Sequence, residues 1–103
     1  MDIKIIKDEK EVTIKCKNPK GRDTKKGFKL LMEAQGQEDE LKIVEKMNDY
    51  LDFLEELTAE NTGMTVDELD DLDSDEKDKL VGHYQSKVVH KLDFLKSSLT
   101  QAN

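Results

Sequence analysis

The densest group of potential ligands in the 103-residue sequence is Asp70-Asp71-Leu72-Asp73-Ser74-Asp75-Glu76. Asp71, Asp73 and Asp75 occupy the first, third and fifth places of an EF-hand loop, where alternate carboxylates converge on a hard cation. The later places contradict that reading. The sixth, where glycine makes the sharp bend, is Glu76, and the twelfth, where a bidentate glutamate closes the shell, is Gly82. A solvated acidic run leading into a helix N-terminus accounts for the residues better. His83 and His90 are the only histidines. Seven residues of helix separate them by about 10 Å along the axis, too far to share one metal ion. Zinc would need further Cys or His ligands beside them, and surface or interface positions are expected instead. Cys16 is the only cysteine, so no internal disulfide is possible; in a strand-like segment it is read as a small apolar filler.

Nucleophilic catalysis would require a base held by a third group beside Ser, Thr or Cys, and neither a strand-turn-helix nucleophile motif nor a glycine-rich phosphate loop is present. Close carboxylate pairs are inevitable among 24 acidic residues, and no spacing singles one out for acid-base work. The expectation is a non-enzymatic protein with no catalytic residue, no cofactor and no metal.

Charge is unevenly distributed. Residues 1–29 hold ten Lys or Arg against five Asp or Glu, whereas residues 30–103 hold seven against nineteen. The net charge of −7 would repel phosphate, and Phe28 is the only aromatic in the basic segment able to stack on a base, so nucleic acid is not an expected partner. The chain has no run approaching the roughly 20 apolar residues of a membrane span and no long apolar stretch after Met1, which leads to the expectation of a cytoplasmic protein.

These residues must be positioned by a modest fold. With 35% hydrophobic and 40% charged residues, one small domain over 1–103 is expected, with self-association as a route to further burial. Ile3–Lys7 and Glu11–Cys16 alternate β-branched and charged residues around an Asp8-Glu9-Lys10 turn and predict a hairpin within residues 1–17, its Ile3/Ile5 and Val12/Ile14 face packed on helices or on another chain. Asn18-Pro19-Lys20-Gly21-Arg22 predicts a basic loop over 18–23. A helix capped by Asp23 or Thr24 follows, with Phe28, Leu30, Leu31 and Ala34 as apolar positions and Gly36 as its end.

Leu41, Val44, Met47, Leu51, Leu54 and Leu57 form a stripe spaced by three and four over Glu38–Glu60, the clearest helix in the chain. Thr65 and Glu68 make a capping-box pattern before Leu69 and Leu72. A last helix restarts at Asp73 or Ser74 and carries Leu80, Val81, Tyr84, Val88, Leu92, Leu95 and Leu99, leaving 100–103 as a tail. The fold class is therefore α+β, mainly α: a hairpin followed by three to four helices, spanning 24–99, in a small bundle.

Most of both long stripes should form the shared core. Tyr50 and Phe53 beside the first, and Val89 and Phe94 beside the second, widen them beyond a single seam, as contact with another helix requires. The order of a leucine-rich acidic helix, then Thr65-Val66-Asp67-Glu68-Leu69-Asp70-Asp71-Leu72, then an acidic restart into an amphipathic helix, resembles the tail assembly chaperones of long-tailed phages and prophages of Gram-positive bacteria. The likeness covers roughly residues 38–95. It implies a non-enzymatic protein of the bacterial host cytoplasm, absent from the mature virion, that keeps the tape-measure protein soluble and helps to recruit the major tail protein. It designates no catalytic residue; Tyr50, Phe53, Leu57, Tyr84, Val88 and Phe94 are the expected client-facing positions. The alternative is an acidic regulatory adaptor or antitoxin-like inhibitor of a basic partner.

Overall fold

The computed structural model describes residues 1–101, with side chains for residues 1–90. Its order is β1 (Asp2–Lys7), β2 (Lys10–Lys15), α1 (Gly21–Gln35), α2 (Glu40–Thr62), α3 (Val66–Asp70) and α4 (Ser74–Gln101). This is the expected α+β, mainly helical class, with an N-terminal hairpin and four helices.

The strands pair antiparallel with Ile5 opposite Val12 and Ile3 opposite Ile14, so the alternation that predicts the hairpin also selects its buried face. The turn is tighter than the three residues expected. Asp8 and Glu9 alone connect the strands, both at positive φ (52° and 64°), the backbone twist that suits a two-residue hairpin connection. Ile5 is fully buried, and Ile3, Val12 and Ile14 are half-buried beneath the helices.

The basic loop is shorter than expected, because α1 begins at Gly21 rather than after Asp23. Lys20 is its N-cap and supplies no side-chain hydrogen bond; Asp23 and Thr24 lie inside the first turn, their N–H groups bonding to the Lys20 carbonyl at 2.9 and 3.2 Å. Gly36 does close α1, but with φ −82° it needs no left-handed conformation. Gly63 does, at φ +73°, and this ends α2. At the other end of α2 the Asp39 side chain accepts the Leu41 N–H at 3.0 Å. The capping box of α3 forms in full: Glu68 N–H donates to Thr65 Oγ1 at 3.1 Å and Thr65 N–H donates to Glu68 Oε1 at 3.2 Å. Helix α4 continues into the segment expected as a tail, reaching Gln101. Leu92, Leu95 and Leu99 lie outside the residues whose side chains are described.

Two apolar clusters are strung along the α2 and α4 pair. One joins Ile5 and Cys16 of the hairpin end to Leu57, Ala59, Leu69, Leu72, Leu80 and Tyr84. The other joins Leu31 of α1 to Tyr50, Leu54 and Val88. Polar ties reinforce the first. Lys77 reaches Glu55 at 2.8 Å and Asp70 at 2.7 Å, linking α4 to both α2 and α3. These carboxylates hold the Lys77 ammonium above its ordinary range, Asp70 most strongly. The Tyr84 hydroxyl donates to the Lys17 carbonyl at 2.8 Å.

Candidate partner-binding surface

Helix α2 presents two apolar faces. Tyr50, Leu54 and Leu57, at spacings of four and three, turn inward and are buried. Leu41, Val44 and Leu51 share the other face and are 81%, 59% and 45% exposed. On a helix the second set lies about 125° from the first, so a single sequence stripe contains a core face and a solvent face. Beside the exposed set run Glu45, Asp49, Asp52 and Glu56, all exposed and spaced by four, three and four. The outer surface of α2 carries an apolar strip interrupted by the exposed Asn48 and bordered on one side by carboxylates, and its three residues are the exposed large hydrophobics on the helices among the described residues.

This corrects most of the expected client-facing positions. Tyr50, Leu57, Tyr84 and Val88 are each at most 2% exposed and belong to the core. They are inward because α1 and the hairpin cover the sides of the α2 and α4 pair that the sequence leaves unassigned. Phe53 is half-buried, with the Lys26 ammonium 5.5 Å from its ring centroid. Phe94 lies outside the residues whose side chains are described. The Tyr50 hydroxyl is buried without a hydrogen-bond partner in the protein, and burial raises its pKa.

No family model, curated protein or solved structure matches this chain.

The groups considered for metal chemistry are arranged otherwise. Asp71 ends α3, Asp73 precedes α4 and Asp75 lies in the first turn of α4. A helix therefore begins where a calcium loop would have to continue. Among the described residues no group of three or more His, Cys, Asp or Glu is placed to hold a metal ion. A shallow groove of about 370 Å³ separates this junction from the hairpin turn, lined by Ile6, Lys7, Asp8, Glu9, Asp71, Leu72 and Asp73. Cys16 is buried, its thiol directed at the Ile14 carbonyl 3.7 Å away, and burial raises its pKa, which disfavours the reactive thiolate. No helix among the described residues is long and apolar enough to cross a membrane.

His83 and His90 share a second groove of about 450 Å³ with Met1, Ser86 and Lys87. A cation there would face the Lys87 ammonium. The His83 ring meets Tyr84 edge-on at 4.9 Å, and its Nε2 is buried without a partner in the protein. Burial first, then the charges of Lys87 and the N-terminal ammonium, push its pKa below the ordinary value of 6.5. The native chain therefore resists a proton that the unfolded chain accepts. The associated stability is complete above pH 6.5 and is lost as pH falls through the depressed native value. Denaturant midpoints measured between about pH 7.5 and 5 should fall on acidification, and His83→Gln should flatten that dependence. Equal slopes for the two proteins would exclude His83 as its source.

Proposed function

We propose that this protein is a non-enzymatic binding protein that covers an apolar helical client, and that it acts as a tail assembly chaperone for a tape-measure protein before major tail protein is recruited. The observation that supports this reading is the strip of Leu41, Val44 and Leu51, which is solvent-exposed on a helix whose opposite residues Tyr50, Leu54 and Leu57 are buried in the core. A client helix buries its own apolar stripe against such a strip, while the adjoining Glu45, Asp49, Asp52 and Glu56 keep the pair charged and soluble. The arrangement suits temporary cover, because the contact is narrow and its rim is hydrated.

The test is co-expression with a phage tape-measure protein, scored by the client recovered in the soluble fraction. The wild-type chain should raise that recovery and co-purify with the client. The double variant Leu41→Asp/Val44→Asp should lose both properties while keeping the wild-type circular dichroism and melting point, since neither side chain packs in the core and an acid at Leu41 lies in the first turn of α2. Unchanged capture by the double variant would remove the strip from the mechanism.

The exposed carboxylate row also favours the second reading, an acidic adaptor or inhibitor of a basic protein. Salt separates the two. Apolar capture persists at about 0.5 M salt, whereas binding steered by the carboxylates weakens steeply over that range.

A further inference from the structure

The two edges of the hairpin are not equivalent. Cys16 N–H donates to the Met1 carbonyl at 2.8 Å, and the Met1 amine donates to the Cys16 carbonyl at 3.2 Å. From that bonded pair, the alternation of an antiparallel ladder directs the backbone groups of Asp2, Lys4 and Ile6 out from β1, and those of Glu11, Thr13 and Lys15 out from β2. Helix α4 caps the turn end of the β1 edge, where Glu76 Oε2 accepts the Ile6 N–H at 2.9 Å. This bond, ahead of the Lys79 ammonium that Glu76 also accepts, lowers the carboxyl pKa. The β2 edge is closed only beyond the strand, where Lys17 N–H donates to the Asn61 carbonyl at 3.0 Å. Between these limits, Glu11, Thr13 and Lys15 are exposed, and no described residue bonds to their outward backbone groups.

We propose that this edge pairs with the same edge of a second copy, antiparallel about a two-fold axis at Thr13, to make a four-stranded sheet. The limits of the edge select the register. Outward groups can meet only outward groups, so Glu11, Thr13 and Lys15 pair among themselves; shifting the pairing toward Lys17 meets the bond already made to Asn61, and shifting it toward the turn leaves Lys15 facing Glu9 at the bend. The centred register places Thr13 opposite the second copy's Thr13 and Glu11 opposite the second copy's Lys15 on both sides of the axis. Both charged pairs are of opposite sign. On the other face it sets the half-buried Val12 beside the second copy's Ile14, extending the apolar layer under the hairpin.

The local charge at this site does not oppose the approach. Residues 1–16 contain four Lys and four Asp or Glu, so the whole net charge of −7 resides elsewhere. The basic excess of the N-terminal segment belongs to the loop and α1, from Lys17 to Lys29, and not to the hairpin. Two copies meeting at β2 join hairpins of no net charge.

Sedimentation velocity on the intact chain from about 10 μM to 1 mM tests the pairing, with circular dichroism to follow the fold. Wild type should pass from monomer to dimer. Thr13→Pro removes an outward N–H that the hairpin does not use and should raise the dimer dissociation constant about a hundredfold with the fold intact. Glu11→Lys or Lys15→Glu alone opposes like charges twice and should weaken the dimer about tenfold. The double swap Glu11→Lys/Lys15→Glu restores both pairs and should recover it; this rescue decides the question even if Thr13→Pro fails to fold. A monomer throughout the range, or a dimer indifferent to the charge changes and their recombination, overturns the proposal and leaves the edge to a strand of another protein.

Discussion

Tyr84→Ala is expected to cost about 3–5 kcal/mol and to leave much of the chain unfolded at 25 °C. Tyr84 is fully buried where the hairpin end meets the helices, in one cluster with Ile5, Cys16, Leu57, Leu69 and Leu80. Truncation opens a cavity whose walls come from strands and helices that cannot all move together to fill it. The hydroxyl adds a separate contribution, since it donates to the Lys17 carbonyl just beyond β2. Tyr84→Phe keeps the ring and loses this bond, which should cost only about 1 kcal/mol because Lys17 is exposed and water can replace the donor. Burial, followed by the neighbouring Cys16, holds the phenol pKa well above its ordinary value, so the hydroxyl remains a donor through the neutral range. Urea titration of the three proteins checks the order. A Tyr84→Ala loss no larger than that of Tyr84→Phe would show that the ring does not hold the hairpin end to the helices.

Gly27→Ala should destabilise the protein by about 1–3 kcal/mol, although a glycine in mid-helix ordinarily gains from this change. A Cβ at Gly27 would stand 2.9 Å from Phe53 Cε1 and 2.9 Å from Val88 Cγ2. Val88 is fully buried and branched at its β-carbon, which restricts the rotamers it can adopt. Phe53 can move only by giving up its place beneath Lys26. Helix α1 thus approaches α4 as closely as it does because residue 27 has no side chain. Gly82 supplies the opposite case. It is an exposed position in α4 where an added methyl group would meet nothing within 4 Å, and Gly82→Ala should stabilise by about 1 kcal/mol. Thermal melts of the two variants should shift in opposite directions; a stabilising Gly27→Ala would mean that α1 and α4 leave room for a side chain between them.

Local chemistry makes the elements legible, and tertiary placement decides the surface. The alternation of Val12, Ile14 and Cys16 and the Thr65 and Glu68 box each act within a few residues, and each element they predict is present. The start of α1 is hidden because Lys20 caps it without a side-chain bond, leaving Asp23 and Thr24 as more attractive candidates one turn too late. The faces of α2 are hidden for a different reason. Spacings of three and four place Leu41 and Leu54 in one series, but only the docking of α1 and α4 determines that Leu54 is buried and Leu41 is not. Tyr50 and Tyr84, expected as client contacts, lie instead in the core, where their large apolar area is worth most. The close approach at Gly27 leaves no local sign beyond the glycine itself.

The division of the core into two clusters has a consequence for how the molecule opens. The α1 end relies on Leu31, Tyr50, Leu54 and Val88, and α1 lacks a capping side chain. The hairpin end has twice as many buried residues and the ion pairs of Lys77. Amide protons of α1 and of α2 before Tyr50 should therefore exchange through fluctuations of lower free energy than those of Leu57–Ala59 or Leu80–Tyr84. The exposed strip from Leu41 to Leu51 belongs to the half that opens first. A partner seated there meets a surface that can yield, and its binding would slow exchange across α1, a helix that it need not touch.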